Sequence, residues 1–363
     1  MSNRYASLTL ELTTPIDDDR PVFVAGNFCE WFPDIKEFQM EKLASGQYRF
    51  QFPSDFNFSQ PIEYKYTRGG WDQVELDAYG EAPPNRKIRA KSLLQRDFVP
   101  YWRKNGIAFD KRFMPQMEVI AEDFDIPQLS RKRRIRVLLP HDYATSTKRY
   151  PVLYMQDGQN LMGEGSVYGN WEIDKKLAVL AAQNKGDLIV VAIDHADEDR
   201  LHEFAPYTHP KFGKGAGKKY ANFIVRTLKP YIDKHYRTRP ERQHTGVGGS
   251  SMGGLISIYA GLMYPEILGR LLIFSPSLWV SDKIYFDAIE FFNPLETKIY
   301  VYAGGKESRY MIPSVERLKE TIEKQGWSPE KLQIQLSLDP KGEHSEARWG
   351  KEFPKAVEWL FGL

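Results

Sequence analysis

The sequence has little cysteine and no long apolar run. Cys29 is the one cysteine among 363 residues, which excludes an internal disulfide and any cysteine-based metal cluster. No run of 18 apolar residues occurs, so no segment has the composition of a membrane-spanning helix. The amino-terminal M-S-N-R-Y-A-S-L-T-L-E-L lacks the apolar core of a signal peptide, so we expect a cytoplasmic protein. A secreted protein given without its leader is the alternative.

An excess of charge of one sign is also missing. The chain has 50 basic and 48 acidic residues and a formal net charge of +2, so we expect neither nucleic acid nor a membrane surface as a partner. It contains no H-E-x-x-H and no close histidine pair, so we expect no metal and no cofactor. Lys211–Lys219 is basic and glycine-rich but follows no strand, unlike a phosphate-binding loop, and predicts a flexible approach to a helix. The sequence does not indicate an oligomeric state.

Residues 1–95 have the pattern of a small all-β domain. Turn-forming residues separate four segments that alternate like strands, without helical periodicity between them. These segments are Ser7–Thr13, Pro21–Ala25, Gln47–Phe52 and Ile62–Thr67. We therefore predict a β-sandwich over 1–95. Residues 96–115 have aromatic anchors but no clear period, and we expect them to form a connector.

From residue 116 to residue 363 the pattern changes to strands that alternate with helices. This alternation predicts a mostly parallel sheet with helices on both faces, an α/β domain. The predicted strands are Arg134–Pro140, Tyr150–Met155, Asp187–Asp194, His244–Gly248, Arg270–Pro276, Lys298–Ala303 and Leu332–Leu338. The predicted helices are Trp171–Gln183, Tyr220–Tyr236, Gly254–Met263, 282–292, 311–325 and 352–362.

One stretch of this domain fits the pattern G-x-S-x-G. Gly249-Ser-Ser-Met-Gly253 lies between a predicted buried strand and an apolar helix, the setting in which such a turn holds a nucleophilic serine clear of a sheet. Glycines at both ends avoid collisions of side chains with the strand and the helix. We therefore predict Ser251 as a nucleophile. A glycine-rich turn before a packed helix is the alternative.

A serine nucleophile needs a base and an acid that orients the base. In α/β-hydrolases the chain order is Ser, then Asp or Glu, then His. His344 is the one histidine after Ser251 and lies on a polar loop ahead of the last predicted helix. For the acid we favour Glu307, which follows a strand through a glycine turn. The alternatives are Asp339, which ends the next strand, and Asp282 and Asp287, which more simply cap or face a surface helix.

The same chemistry needs two backbone N–H groups to stabilise an oxyanion. One should be that of Met252, directly after the nucleophile. The second should come from Gln156-Asp-Gly-Gln-Asn160, after a predicted strand, and we favour Gln159. A plain tight turn is the alternative for this segment.

Several motifs in this order resemble the putative-esterase family of α/β-hydrolases. They are Y-M-Q-D-G-Q-N-L-M, N-W-E-I-D-K, R-L-H-E-F-A-P-Y, L-K-P-Y-I-D-K-H-Y-R-T, G-G-S-S-M-G-G-L, S-P-S-L-W, A-G-G-K-E and H-S-E-A-R-W. The family includes siderophore esterases of the enterochelin type, S-formylglutathione hydrolase, and feruloyl and acetyl xylan esterases. The resemblance implies an α/β-hydrolase fold and the triad Ser251, Glu307 and His344. Siderophore esterases also have a sandwich domain before the hydrolase.

The first domain resembles starch-binding modules and their immunoglobulin-like relatives. The resemblance rests on V-F-V-A-G-N-F-C-E-W-F-P, Y-K-Y-T-R-G-G-W-D and P-N-R, although the tryptophan often found before the last element is absent. It implies that Trp31 and Trp71 could stack on sugars. We expect a rigid appendage or a lid over the active site instead, with both rings packed inside the protein.

The resemblance and the residues together predict a serine carboxylic-ester hydrolase that acts on carbohydrate-linked acyl groups through an acyl-enzyme. A siderophore ester is the nearest alternative substrate, and acyl transfer is an alternative reaction. The alternative from another class is a carbohydrate-binding protein with an inactive hydrolase domain. Five residues after predicted strands are expected to contact substrate or to pack in loops: Trp171, His195, Arg200, Glu203 and Trp279.

Overall fold

The computed structural model describes residues 8–16, 18–56, 61–88, 94–210, 213–290, 295–324, 328 and 330–363. The chain divides into two compact units, Met1–Lys111 and Arg112–Leu363. A few positions of the predicted elements lie outside the described residues, namely 7, 211–212, 291–292 and 325.

The first unit consists of short strands. They are β1 (Thr9–Thr13), β2 (Phe23–Gly26), β3 (Glu41–Ala44), β4 (Gln47–Gln51), β5 (Glu63–Thr67), β6 (Glu75–Leu76), β7 (Arg86–Lys87), β8 (Leu94–Phe98) and β9 (Tyr101–Trp102). The sheets have the orders β3-β4-β1-β8, β2-β5-β7 and β6-β9. Alternate side chains of the two larger sheets, such as Leu10 and Leu12 of β1 and Tyr64 and Tyr66 of β5, share one hydrophobic core. The predicted all-β domain is confirmed.

The segment predicted as a connector, 96–115, instead contributes strands to the first unit. β8 pairs in parallel with β1, and β9 pairs with β6, so the units separate after Lys111. The alternation of β8 is hidden in the sequence because Asp97 occupies a buried position. Two tyrosine hydroxyls donate to its Oδ2, over 2.6 Å from Tyr64 and 2.8 Å from Tyr66, and Arg86 pairs with its Oδ1.

The second unit is built on an eight-stranded sheet with the order β10-β11-β13-β12-β16-β17-β18-β19. The strands are β10 (Gln116–Ile126), β11 (Arg131–Leu139), β12 (Val152–Gln156), β13 (Ile189–Ile193), β16 (Thr245–Ser250), β17 (Arg270–Phe274), β18 (Thr297–Gly304) and β19 (Leu332–Asp339). β11 pairs antiparallel with both β10 and β13, and the remaining pairs are parallel. A separate hairpin joins β14 (Thr208–His209) to β15 (Gly213–Lys214).

Helices cover both faces of this sheet. They are α1 (Ile173–Ala181), α2 (Arg200–Phe204), α3 (Gly217–Phe223), α4 (Lys229–His235), α5 (Met252–Met263), α6 (Lys283–Ile289), α7 (Met311–Glu323) and α8 (Glu346–Phe361), with a π-helical turn at Ile224–Leu228 between α3 and α4. One face packs on α3, α5 and α7. On the other face, Trp171 before α1 and Trp349 of α8 pack near Phe274 of β17. The predicted α/β-hydrolase fold is confirmed.

Two elements differ from the sequence prediction in a way that matters for the site. Strand β10 was not predicted, because two irregularities in its pairing with β11 interrupt its alternation. Helix α8 begins at Glu346 rather than at residue 352, capped by the Ser345 side chain, which accepts from the Arg348 N–H. The helix therefore starts two residues after His344.

Candidate active site

Ser251 lies at the turn between β16 and α5, where the nucleophile was predicted. Its φ of 56° and ψ of −120° are rare for a residue with a side chain, as expected of a strained strand-to-helix turn. The flanking glycines have the predicted steric role. A Cβ on Gly249 would lie 3.0 Å from the Gln156 side chain, and one on Gly253 would lie 2.9 Å from Asp157 Oδ2.

The segment after β17 holds this turn. The Ser251 N–H donates to the Phe274 carbonyl over 3.0 Å, and the Ser277 N–H donates to the Ser251 carbonyl over 3.0 Å. The two hydroxyl oxygens of Ser251 and Ser277 are 3.2 Å apart. The resting serine side chain therefore contacts a second serine, which the sequence analysis did not single out.

Glu307 and His344 form a hydrogen-bonded pair. His344 Nδ1 lies 2.7 Å from Glu307 Oε2, and the carboxylate side chain is 2% exposed against 42% for the imidazole. Glu307 Oε1 accepts from the Ser275 hydroxyl and from the Gly304 N–H, each over 2.7 Å. A neutral imidazole held in this way carries its proton on Nδ1, which leaves Nε2 as the basic nitrogen.

The other acids considered from the sequence have different partners. Asp339 pairs with Arg348 over 2.9 Å, Asp282 lies 3.3 Å from Arg317, and Asp287 accepts a hydrogen bond from Tyr207. The geometry therefore brings Glu307, and none of these three, to His344.

Trp349 supports the Glu307–His344 pair and was missed by the sequence analysis. Its indole N–H donates to the Ser275 hydroxyl over 2.9 Å, and its ring meets the His344 ring edge-on at 4.7 Å. Ser275 in turn donates to Glu307. Recognising Ser345 as the helix cap would have predicted this position. A helix that begins after Ser345 has Trp349 in its first turn, close to His344.

The two predicted oxyanion donors lie at helix starts. Met252 is the first residue of α5, and Gln159 lies in the 3₁₀ turn Gly158–Asn160 after β12. Backbone N–H groups in a first helical turn have no acceptor within their helix and can donate to an anion. The Gln159 side chain is held by the backbone of His195, accepting from its N–H over 2.9 Å and donating to its carbonyl over 3.2 Å.

Buried ion pairs support the segment Asp157–Asn160, the predicted oxyanion turn. Arg136 donates to the Gly158 carbonyl over 2.7 Å and pairs with Asp194, which also binds Arg134. A Cβ on Gly158 would lie 2.5 Å from Asp194 Oδ1, so the turn needs glycine there. The sequence analysis did not predict these buried roles of the β11 arginines, because a strand rich in arginine is usually exposed to solvent.

Arg200 also holds the turn. Its guanidinium makes two hydrogen bonds to Asp157, over 2.6 and 2.8 Å. Burial alone would lower the pKa of Arg200, but the charge and hydrogen bonds of Asp157 raise it above its ordinary value. Arg200, predicted as a substrate contact, thus has a structural partner here.

The remaining predicted substrate residues differ in their surroundings. Trp171 is 3% exposed and stacks on Phe274 at 5.4 Å, and Glu203 is buried against Arg133 over 2.8 Å, so these two fit the packing alternative. Trp279 is 67% exposed. It lines a pocket of about 350 Å³ together with Glu307, His344 and the exposed Tyr310, a residue that the sequence analysis missed.

In the described part of the chain, no group of three or more His, Cys, Asp or Glu side chains could hold a metal ion. Across the same residues, no helix is long and apolar enough to cross a membrane.

A comparison with family models decides the affiliation. The model described as "Putative esterase" matches residues 126–360. The chain belongs to this esterase family. It is therefore an esterase, a hydrolase of carboxylic esters, and the hypothesis of an inactive hydrolase domain loses support.

The chain is also similar to individual proteins and to a solved structure. The uncharacterized protein YbbA of Bacillus subtilis is 27% identical over 244 residues, 63% of this chain and 93% of that protein. An endo-1,4-beta-xylanase/feruloyl esterase of Xylanibacter ruminicola is 27% identical over 195 residues, 50% of this chain but 24% of that protein. The enterobactin esterase FES of Shigella flexneri has a similar fold, with a TM-score of 0.53 and 15% identity over 98% of this chain and 93% of that one.

Proposed function

We propose that this esterase works through a serine acyl-enzyme, with Ser251 as nucleophile, His344 as base and Glu307 as the acid that orients His344. The observation that carries the proposal is the 2.7 Å contact between Glu307 and His344 in a chain whose Ser251 occupies a strained turn before a helix. His344 Nε2 would take the serine proton as the hydroxyl attacks the ester carbonyl. The Met252 and Gln159 N–H groups would stabilise the resulting oxyanion.

The acyl group is proposed to be apolar or aromatic and linked to a carbohydrate. The pocket beside His344 has Pro276, Leu278 and Met311 in its wall, and the exposed rings of Trp279 and Tyr310 frame it. Flat aromatic faces of this kind bind planar rings such as a feruloyl group. The xylanase/feruloyl esterase relative supports this substrate class.

A siderophore ester is the second candidate substrate. It is favoured by one observation, the match to the Shigella flexneri enterobactin esterase across 98% of this chain, which includes the first unit as well as the hydrolase. The alternative makes a separate prediction, since the enzyme should then hydrolyse a catecholate trilactone faster than a feruloylated sugar.

The expectation that both tryptophan rings are packed inside the protein does not hold for Trp71, whose ring belongs to an exposed residue. For the first unit we therefore propose glycan binding through Trp31 and Trp71 in place of the rigid appendage expected from the sequence. The two rings are neighbours, with centroids 6.3 Å apart and planes at 44°, and Trp71 is 38% exposed. Calorimetric titration of the whole protein with malto- and xylo-oligosaccharides tests this. Binding should be lost in Trp31→Ala/Trp71→Ala, and an unchanged affinity of that variant would leave the unit as an appendage.

The mechanism is tested by hydrolysis of p-nitrophenyl acetate and butyrate. Ser251→Ala should lose several orders of magnitude in kcat. Ser257→Ala, a buried serine of α5 with no hydrogen-bond partner for its hydroxyl among the described residues, is the matched control and should keep its activity. Mass spectrometry of the quenched protein should locate the acyl group on Ser251, and an acyl group elsewhere would overturn the assignment.

The substrate class is tested on the same preparation. Methyl ferulate, feruloylated xylo-oligosaccharides, acetylated xylan and a catecholate trilactone are compared by kcat/KM, with water and an added alcohol as competing acceptors. Preference for the feruloylated oligosaccharides supports the proposal. Preference for the trilactone would support the siderophore ester as substrate instead. Formation of an ester between the acyl group and the added alcohol would indicate acyl transfer.

A further inference from the structure

A second cavity of the hydrolase unit is larger than the pocket beside His344. It has a volume of about 1120 Å³ and lies among α2, the β14–β15 hairpin, the start of α3 and α6. Neither Ser251, Glu307 nor His344 is among its lining residues. The proposed esterase mechanism therefore does not use it.

The cavity concentrates positive charge in a chain that is nearly neutral overall. Among the described residues, five basic side chains line it, namely those of Arg131, Lys214, Lys218, Lys219 and Lys283. Within the described ranges no ion pair is formed by any of the four lysines, whereas Arg131 pairs with Asp199. Like charges that converge on a concave surface create a positive potential that attracts anions.

The acidic side chains of the lining cancel only part of this charge. Glu203 is already paired with Arg133 over 2.8 Å, outside the lining. Asp287, which accepts a hydrogen bond from the neutral Tyr207 hydroxyl, and Glu290 leave two negative charges against the four lysines. Lysine ammonium groups without carboxylate partners are available to a ligand.

Part of the cavity wall is apolar. Leu129, Pro206 and Phe286 line it, and the Phe286 side chain is largely exposed to the cavity and solvent. Ligand sites typically combine apolar walls with a few polar or charged groups that fix orientation. A small inorganic ion would leave this wall uncovered.

Two elements connect the cavity with the active site. Helix α2 places His202 and Glu203 at the cavity, and its Arg200 holds Asp157 of the oxyanion turn. The hairpin places Thr208 and Lys214 at the cavity, and its His209 meets the Trp279 ring at 6.3 Å. A ligand in the cavity would therefore contact the elements that hold both the oxyanion turn and the pocket beside His344.

We propose that this cavity binds an organic anion that carries an apolar group, such as an aryl carboxylate, sulfonate or phosphate. The unpaired lysines bind the anionic group and the wall around Phe286 covers the apolar part. The ligand is either a distal anionic part of the ester substrate or a separate effector, and both share this chemistry.

The test is a fluorescence titration of the whole protein with 8-anilinonaphthalene-1-sulfonate. We expect saturable binding that Lys214→Gln/Lys218→Gln/Lys219→Gln/Lys283→Gln weakens about tenfold or more, since four positive charges of the cavity lining are lost. The matched control replaces four exposed lysines elsewhere, Lys36, Lys234, Lys324 and Lys331, and should bind as the wild type does. The uncharged N-phenyl-1-naphthylamine should not distinguish the variants.

Equal affinity of the wild type and the cavity variant for the sulfonate would overturn the proposal, as would loss of binding after Ser251 is sulfonylated. Circular dichroism and p-nitrophenyl acetate hydrolysis test whether the cavity variant is folded, and both should match the wild type. With binding established, competitive inhibition of a feruloylated substrate identifies the cavity as part of the substrate site. Non-competitive inhibition identifies a separate effector.

Discussion

The hydroxyl oxygens of Ser251 and Ser277 lie 3.2 Å apart, and the Ser277 N–H donates to the Ser251 carbonyl. Ser277 is buried, so these contacts fix the resting position of the Ser251 side chain. In the proposed mechanism the Ser251 proton passes to His344, so a hydrogen bond in which Ser251 donates to Ser277 has to break first. We therefore expect the Ser277 hydroxyl to stabilise the resting enzyme more than the transition state.

Replacing Ser277 with alanine should raise activity. A neutral hydrogen bond contributes about 0.5–1.5 kcal/mol, so removing one that exists only in the ground state should increase kcat about 2–10-fold. The measurement is steady-state hydrolysis of p-nitrophenyl butyrate at saturating substrate. A lower kcat would mean that Ser277 donates to the reacting serine in the transition state. Ser257→Ala is again the matched control and should leave kcat unchanged.

Glu352 joins α8 to β18 and β19, the two strands that precede Glu307 and His344 in the chain. It is fully buried and accepts hydrogen bonds from Tyr300 of β18 over 2.6 Å and from Ser337 of β19 over 2.5 Å. Burial alone would raise the pKa of this carboxyl, but the hydrogen bonds from Ser337 and Tyr300 lower it below its ordinary value of 4.5. The ionised form is therefore favoured by folding.

Glu352→Gln should lower the free energy of unfolding at pH 7 by about 1.5–3 kcal/mol, the range for hydrogen bonds to a charged group. Because the folded pKa is depressed, the stabilisation is complete above pH 4.5 and disappears as the pH falls through the folded value. Urea denaturation between pH 3 and 8 should show the two proteins converging at acid pH. The exposed Glu323→Gln should show no comparable difference, and a constant gap at all pH values would contradict the charge argument.

Much of the hydrolase unit could be predicted because its strands are continuous apolar runs and its functional loops follow them. The turn that holds Ser251 was predictable from local sequence, since it requires the glycines at 249 and 253. Glu307 could be selected from its place after β18, although several acids competed for the role. What distinguishes Glu307 is its contact with His344, which joins residues 37 positions apart.

The supporting residues could not be predicted in this way. Ser275 links Trp349 to Glu307 through two hydrogen bonds. Its backbone has a φ of 45°, a conformation that the sequence around Ser275 does not predict. Trp171 was expected near the site from its place in the chain, yet its ring stacks on Phe274 and belongs to the core. The distance of a residue from a strand end thus predicts roughly where its side chain lies. The direction of that side chain depends on tertiary contacts, which the sequence alone does not give.

We expect loss of the Arg200 side chain to lower the free energy of unfolding, because the side chain holds a buried carboxylate. Its removal leaves Asp157, which is almost completely buried, without its cation, and breaking a buried ion pair costs about 3–5 kcal/mol. Arg200→Ala should therefore unfold at lower urea concentration than the wild type. Adding Asp157→Asn should restore part of this loss, because asparagine is neutral and tolerates the left-handed backbone at that position. Additive losses in the double variant would show that the pair does not act as a unit.

Trp279 and Tyr310 should determine the preference for the acyl group. Both rings are largely exposed, 67% and 60%, and both line the pocket that also contains His344, so they are available to cover an aromatic acyl chain. Trp279→Ala and Tyr310→Ala should each lower kcat/KM for methyl ferulate about tenfold, since an aromatic contact contributes about 0.5–1.5 kcal/mol beyond its buried area. The acetyl group of p-nitrophenyl acetate is too small to reach both rings, so kcat/KM for that ester should change little. Phe286→Ala removes an equally exposed ring that lines the other cavity and should alter neither value. Parallel losses on both esters would mean that the two rings stabilise the site without recognising the acyl group.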